Sequence, residues 1–513
     1  MSANPHQRIK IHRRWLPYLI LLLSFFLLTW QWDAHGLWDD ELYTIRLAQA
    51  PTLADIATGS AADIHPPLHY LLMRGWIFVA GPTDYAVRFF SVVSAVLAIA
   101  LSYALARRLV NSRLARWTML LLSVSPFFIL YARMARYYVF AMMLGVLSLY
   151  LFLRLLQDAE QHRVRWTNLI IWVLVAVVLL YTDYPTSIVL IGENLLMLIF
   201  VRYFREMWPK WLVAQIVAMA GFLPWAGVVL AQITHANNAF GNVEFARGFF
   251  GALFKVGQPI YSFAVGETLM PWHPAAVIGL LAVAILLIQG SRAILARHTW
   301  QDIFIGLFLV LPLIYLVAVS FLVAYAFPSR AMVALPFLYM LLVIGALRLS
   351  RRRGPIVLGG LIIAFLFGLG NYYPGYQFIN PTYAVPTRAI LRTIETQAQA
   401  ADVIASETAS GFGYYYALSD QSWPHFTDFA QAREFIAAQH SSRVWLILLG
   451  RDSTREQTPT GFIDFLGRDY SLAQSWGFGP VDPIYQQLKS RILGRKVYAN
   501  KATLYLYAKQ GTQ

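Results

Sequence analysis

Long apolar runs alternate along the chain with short polar segments. Runs of this kind lie near residues 15–32, 86–107, 115–132, 137–156, 167–182, 186–203, 211–231, 274–290, 303–326, 331–348 and 355–371. An α-helix needs about 20 apolar residues to cross the hydrocarbon of a bilayer, so each run is read as a span, eleven in all. The segments between them fall into two sets. One set holds the N-terminus, Arg107/Arg108/Arg113/Arg116, Arg154/Arg163/Arg165, Arg202/Arg205/Lys210, Arg292/Arg297 and Arg348/Arg351/Arg352/Arg353. Short loops rich in Lys and Arg stay cytoplasmic, which puts the other set, and the chain after the eleventh span, outside. The first run follows Arg8, Lys10, Arg13 and Arg14 and ends in Thr29-Trp30-Gln31-Trp32. It has no small-residue cleavage pattern and ends in interfacial aromatics, so it is expected to be a retained span, not a cleaved leader.

The exterior set holds the unusual residues. A first exterior loop, about 33–85, opens on Trp38-Asp39-Asp40-Glu41-Leu42-Tyr43-Thr44 and continues through Asp63-Ile64-His65-Pro66-Pro67-Leu68-His69-Tyr70. Three successive carboxylates are too costly for hydrocarbon. Segments 41–50 and 67–80 have the pattern of helices lying along the interface, and Pro66-Pro67 suits the opening of the second. Shorter exterior turns are Tyr131-Ala132-Arg133-Met134-Ala135-Arg136-Tyr137-Tyr138, Tyr181-Thr182-Asp183-Tyr184-Pro185 and Phe327-Pro328-Ser329-Arg330. A second long loop, about 232–273, carries Glu244, Arg247, Lys255, Glu267 and His273. From 372 to 513 apolar runs give way to alternating elements: a helix at 386–400, a strand at 403–406, an ambiguous 414–418, a helix at 428–439 and strands at 443–449 and 502–508. That alternation predicts a small α/β domain. It lacks a glycine-rich phosphate loop, so no cofactor is assigned to it.

Composition sharpens the class. Hydrophobic residues make up 58% and charged residues 13% of the 513, against roughly 25% charged in soluble proteins. The balance of 41 Lys+Arg over 26 Asp+Glu gives +15. Because the basic residues cluster in short loops between spans, the excess reads as topological bias and headgroup contact, and nucleic-acid binding is set aside. With no cysteine, disulfides and thiol chemistry are excluded.

The motifs resemble those of the GT-C glycosyltransferases, in particular bacterial integral-membrane relatives of protein O-mannosyltransferases and lipid A aminoarabinose transferases. The residues that carry the resemblance are Asp40-Glu41 after the first span and His65-Pro66-Pro67-Leu68 later in that loop. Gly81-x-x-x-Tyr85-Ala86-x-Arg88, Ser125-Pro126 and Tyr131-Ala132-x-x-Ala135-Arg136-x-Tyr138 follow, with Pro328-Ser329-Arg330 as a later match. The resemblance implies a polytopic α-helical membrane protein: a transmembrane catalytic module over 1–371 and an extracytoplasmic α/β domain over 372–513, in a bacterial inner membrane. It implies a polyprenyl-phosphate sugar donor, an acceptor that is a glycan, a lipid or a protein, and transfer with inversion on the outer face. It puts the catalytic carboxylate on Asp40. Relatives commonly carry an acid where this chain has Met134, which weakens the case for a bound metal, and a His where it has Asp183.

The residues themselves leave more than one reading. Asp39, Asp40 and Glu41 suit a helix N-terminus, where acids meet the positive end of the macrodipole, and equally a general base. Successive helical side chains diverge by about 100°, so only one can be the base, and Asp40 is the choice, with Glu41 beside it. Arg133 and Arg136 would share a face on a continued helix; they either reach for headgroups or clamp a phosphate, with Arg330 and Lys255 as further donors. His65 and His69 are four apart, a spacing open to zinc but equally to packing; no metal is expected, though a divalent ion is not excluded. Asp63 is placed to order the turn before the prolines. Asp39, His65, Tyr137 and Asp183 are substrate-site candidates. A lipid-linked saccharide transporter or a surface-polysaccharide polymerase or ligase would share much of this layout. The transporter should place its titratable groups within the spans, where Glu193 is the exception to the one-sided pattern.

Overall fold

The computed structural model describes residues 5–240, 248–322, 327–374, 378–380, 383–407, 411–439, 441–449, 460–493 and 497–510. The chain divides into two compact units. One comprises residues 1–30, 44–267 and 271–369; the other comprises 31–43, 268–270 and 370–513.

The first unit is helical. Among the described residues, seven helices are long and apolar enough to cross a membrane: Asp84–Leu109, Tyr138–Glu160, Arg205–Ile233, Pro274–Arg297, Trp300–Phe321, Pro328–Arg348 and Arg353–Tyr372. An eighth is the broken pair Ser112–Val124 and Pro126–Ala132, bent by 62°. The break has a local cause. Pro126 has no N–H for the preceding turn, and Ser125, in extended conformation, caps the second helix by accepting from the Phe128 N–H. Of the three further expected runs, the first lies in the helix Pro5–Thr29, and the other two form shorter helices, Trp166–Leu180 and Ile188–Ile199. The eleven expected runs are therefore all helical, but the count of eleven full spans does not follow, because a run of apolar residues does not say where its helix ends.

Lipid offers no hydrophobic drive to bring helices together, so close packing and polar contacts must do it. Both are present. The span Pro328–Arg348 is central, with 89% of its apolar window buried, whereas Arg205–Ile233 is 11% buried. The central span meets Pro274–Arg297 through glycines: a Cβ on Gly345 would strike the Leu286 carbonyl, and one on Gly290 the Leu341 carbonyl. Ser24 donates to Ser123 across two helices at 2.6 Å, and Tyr339 Oη donates to Ser125 Oγ at 2.7 Å at the break. Mid-span Glu193 accepts from Ser148 Oγ at 2.8 Å and Trp172 Nε1 at 3.0 Å.

The expected long loops are more ordered than the pattern suggested. The first carries three helices, Asp39–Ala48, Leu53–Ala62 and Leu68–Ala80. The middle one was not anticipated; it starts at a capping box in which Thr52 and Asp55 exchange hydrogen bonds. In place of the loop at 232–273, one helix runs on to Phe240 and another covers Gly248–Val265. Glu244 and Arg247 lie outside the described residues.

The C-terminal part of the second unit is a mixed five-stranded sheet. Its strands are β1 (Val403–Ser406), β2 (His425–Phe426), β3 (Arg443–Leu449), β4 (Tyr470–Pro480) and β5 (Asn500–Lys509), in the order β2-β1-β3-β5-β4. The β1–β2 and β1–β3 pairs are parallel, and β5 is antiparallel to both β3 and β4. Val403, Val444, Leu446, Leu448, Ile436 and Leu466 form its core. The ambiguous 414–418 falls in a short helix, Phe412–Ala417.

Candidate active site

In the membrane unit, turns far apart in sequence converge. Asp63 ends the helix Leu53–Ala62, and two prolines separate it from the helix Leu68–Ala80. This hairpin is held at its main chain: Ser60 Oγ donates to the His65 carbonyl at 2.6 Å, Gln232 Nε2 donates to the Ser60 carbonyl at 2.8 Å, and the Leu68 N–H donates to the Tyr181 carbonyl at 3.1 Å. The result fixes the ring of His65, which is 7% exposed.

His65 stands between an acid and a base. Its Nδ1 is 2.8 Å from Asp63 Oδ2, and its Nε2 is 2.8 Å from Nη2 of Arg330. Arg330 donates from Nη1 to Asp183 Oδ1 at 3.0 Å. Asp183 is committed on both oxygens, since Oδ2 accepts from the Thr186 N–H at 3.0 Å and its hydroxyl at 2.6 Å. Asp183 is thus both a turn cap and the partner of Arg330. Burial alone would raise the Asp63 carboxyl, but the hydrogen bond and field of His65, with Arg136 behind them, hold it down at about 2. His65 is pushed below its ordinary range, chiefly by burial and then by the fields of Arg330 and Arg136, against the pull of Asp63.

Tyr137 is the centre of the cluster. The guanidinium carbons of Arg136 and Arg330 each lie 5.0 Å from its ring centroid, and the His65 and His69 rings are 5.1 and 6.0 Å away. Stacking of cations on an aromatic face is favourable, more so away from water. Its hydroxyl is buried with no hydrogen-bond partner among the described residues, as are both ring nitrogens of His69 and the Ser329 hydroxyl. Arg136 is 2% exposed and donates to Thr44 Oγ at 2.9 Å.

Several expectations need correction. Arg133 and Arg136 do not share a helical face, because the helix ends at Ala132 and a tight turn, closed by the Arg136 N–H on the Met134 carbonyl at 2.8 Å, intervenes. They are also 5% and 2% exposed, which removes the reading of two side chains reaching for headgroups. His65 precedes the helix that carries His69, so the four-residue spacing does not put them on successive turns. Lys255 is buried, and its described contact is with the Phe321 ring, 5.1 Å from its ammonium. Among the described residues no group of three or more His, Cys, Asp or Glu is arranged to hold a metal. Thr44 and Ser329 were passed over as site residues although both lie in stretches singled out above; a hydroxyl among charged residues is a weak signal in sequence.

The acidic stretch belongs to the other unit. Asp39, Asp40 and Glu41 form the first turn of the helix Asp39–Ala48, as acids at a helix N-terminus should. Glu41 is fully buried and turns back to accept from the Trp38 N–H at 3.2 Å, so it caps the helix. Asp39 and Asp40 are half-buried.

Oriented guanidiniums at the ends of apolar helices have the chemistry to hold an anion. The chain has the fold of the GT-C glycosyltransferases. Residues 64–227 match the model of the family described as dolichyl-phosphate-mannose-protein mannosyltransferase; this stretch includes His65, Arg133, Arg136 and Asp183 and starts after the acidic triplet. Among solved structures, ArnT from Cupriavidus metallidurans bound to undecaprenyl phosphate is similar at 13% identity, covering 96% of this chain and 98% of that one, with a TM-score of 0.52. The same protein in the apo state gives 12% identity, 95% and 97% coverage and a TM-score of 0.54. No curated protein gives a significant sequence match.

Proposed function

We propose that the chain transfers a sugar from a polyprenyl-monophosphate donor to an acceptor hydroxyl or amine on the extracytoplasmic face of the bacterial inner membrane, with inversion. The observation that carries this reading is the pair of guanidiniums, Arg136 and Arg330, stacked on Tyr137 at the ends of apolar helices, with Arg133 buried in the same turn as Arg136. A monophosphate needs only one or two charge-assisted partners, and an isoprenoid tail gains about 0.8 kcal/mol per CH₂ buried on apolar helix surface. The undecaprenyl phosphate held by the similar ArnT favours the same carrier chemistry. In the reaction the acceptor attacks the anomeric carbon and the bond from that carbon to the phosphate oxygen breaks. Its electron pair departs on the lipid phosphate, where the guanidiniums stabilise the developing charge. The acceptor's proton passes to Asp40. Glu41, committed to the Trp38 N–H, serves by fixing the turn that carries Asp40. Lys255, whose described contact is with the Phe321 ring, is a weaker candidate for the phosphate.

The purified chain in proteoliposomes should transfer sugar from a polyprenyl-monophosphate donor and not from a nucleotide sugar. Transfer from a nucleotide sugar without lipid would end the proposal. Asp40→Asn should lower turnover about 100-fold or more while donor binding persists; full activity in that variant would remove Asp40 as the base.

A further inference from the structure

Arginine has five N–H donors and no acceptor, so the nitrogen facing Nη2 of Arg330 at 2.8 Å must be an acceptor. That fixes the His65 ring as neutral, with its one proton on Nδ1, donated to Asp63 Oδ2 at 2.8 Å. The arrangement is a directed chain: Arg330 donates to His65, and His65 donates to Asp63. On the other side Arg330 donates to Asp183. Two of the five N–H groups are thereby pinned by acceptors on separate elements, one neutral and one charged. A carboxylate in place of His65 would put two anions on Arg330 and cancel its attraction for a further anion; a neutral acceptor orients the guanidinium without doing so.

We infer that His65 is a positioning residue which, as a neutral Nδ1–H tautomer held by Asp63, aims Arg330 at the donor phosphate. This deepens the reading that the guanidinium cluster takes a polyprenyl monophosphate and rests on it. The charged and titratable groups facing His65 are Asp63 in its own turn, Arg136 and Tyr137 in the turn after Ala132, His69 in the following helix, and Arg330 with its partner Asp183. Protonating His65 would turn its acceptor into a donor pointed at Arg330 and break the chain in the middle.

The test is binding of undecaprenyl phosphate to the purified full-length chain in lipid nanodiscs. Arg330→Ala should weaken it roughly tenfold or more, the cost of a lost charge-assisted bond. His65→Ala should weaken it by a similar factor through loss of aim. His65→Gln places an amide oxygen near the position of Nε2 and should bind within about threefold of wild type, whereas His65→Asn, too short to meet Arg330, should behave like His65→Ala. A pH series supplies a second readout. As pH falls from 7.5 to about 4.5 the wild type should lose more affinity than His65→Gln, with the difference confined to the acid end because His65 titrates below its ordinary range. The ratio of the two affinities cancels the ligand's own second ionisation. If His65→Ala gives no folded protein, the Gln and Asn variants and this ratio decide. His65→Gln as weak as His65→Asn, or both equal to wild type while Arg330→Ala is weak, would overturn the positioning role alone. Unchanged binding in Arg330→Ala would instead overturn the assignment of the phosphate to Arg330.

Discussion

The Asp183–Arg330 pair makes a quantitative prediction about stability. Asp183 is 2% exposed at its side chain and Arg330 15%, so neither charge is solvated enough to stand alone. Removing one member of a buried pair costs about 3–5 kcal/mol, mostly from the charge left behind. The partial exposure of Arg330 and its bond to His65 reduce this, so Asp183→Asn is expected to cost about 2–3 kcal/mol. Arg330→Gln should cost a similar amount. In the double variant neither buried charge is left facing a lost partner, and the coupling should reach about 1–2 kcal/mol. Thr186→Ala isolates the other half of Asp183, the capping bonds, and should cost about 1 kcal/mol. The assay is the midpoint of heat-induced loss of monodisperse protein in detergent, compared at one heating rate because such unfolding is irreversible. If the two single effects add to within about 0.5 kcal/mol, the pair is not a coupled unit and the oriented-guanidinium argument loses its base.

Other consequences can be checked separately. Gly345→Val places methyl groups against the Leu286 carbonyl and should sharply reduce the yield of monodisperse protein, while Gly306→Val, which meets nothing within 4 Å, should not. Burial raises the Glu267 carboxyl to about 7, against the hydrogen bonds from Ser262 and Tyr131. A carboxyl raised on folding stabilises below its unfolded pKa and loses that contribution as pH rises through the folded value. Thermal stability should therefore decline between about pH 5 and 8 in the wild type and be flatter in Glu267→Gln. Because the chain has no cysteine, single cysteines at the exposed Asn111 and Gln474 should react with an impermeant thiol reagent from opposite sides of the membrane; labelling from one side would refute the alternation of loops.

What the sequence disclosed and what it hid differ in physical kind. Apolar runs reappear as helices because hydrocarbon permits little else. The acidic first turn at Asp39 and the strands Val403–Ser406 and Arg443–Leu449 were legible because their causes are local, whereas the run 115–132, read as one span, breaks at Ser125–Pro126. The strand Tyr470–Pro480 was not: it lies at the sheet edge with most of its residues exposed, so no face is marked by apolar alternation. The helix Leu53–Ala62 hid behind Gly59 and Ser60, poor helix formers whose burial is a tertiary matter. His65, Tyr137, Asp183 and Arg330 were each singled out, yet nothing in the spacing joins His65 to Arg330, 265 residues on. That meeting depends on how several helices pack. The geometric inferences drawn from spacing fared worst: a shared face for Arg133 and Arg136 failed because the helix stops between Ala132 and Tyr138, and His65 precedes the helix of His69.

The strongest rival to an enzyme working at one surface is a transporter, and Glu193 was the residue in its favour. An acid that moves charge or substrate across a bilayer must exchange partners between two states, and it sits where helices break near the midplane. Glu193 is built differently. It lies within the unbroken helix Ile188–Ile199, and its two oxygens are taken by donors from two other helices, Ser148 and Trp172. Trp172 in turn packs on Trp211 at 4.5 Å between ring centroids, and the neighbouring Asn194 accepts from the Trp211 indole N–H at 2.9 Å. Both polar residues of this helix are therefore spent on helix association, the use that lipid demands of buried polar groups. The cluster around Tyr137 is built the opposite way. It joins turns, not helix interiors, and leaves the Tyr137 hydroxyl and the His69 ring nitrogens buried without partners among the described residues. Orphaned polar atoms of that kind cost about 1–3 kcal/mol each and persist where a polar ligand completes them. The mid-span carboxylate is thus built into helix packing, while the orphaned polar atoms lie at the turns, where the proposed chemistry is placed.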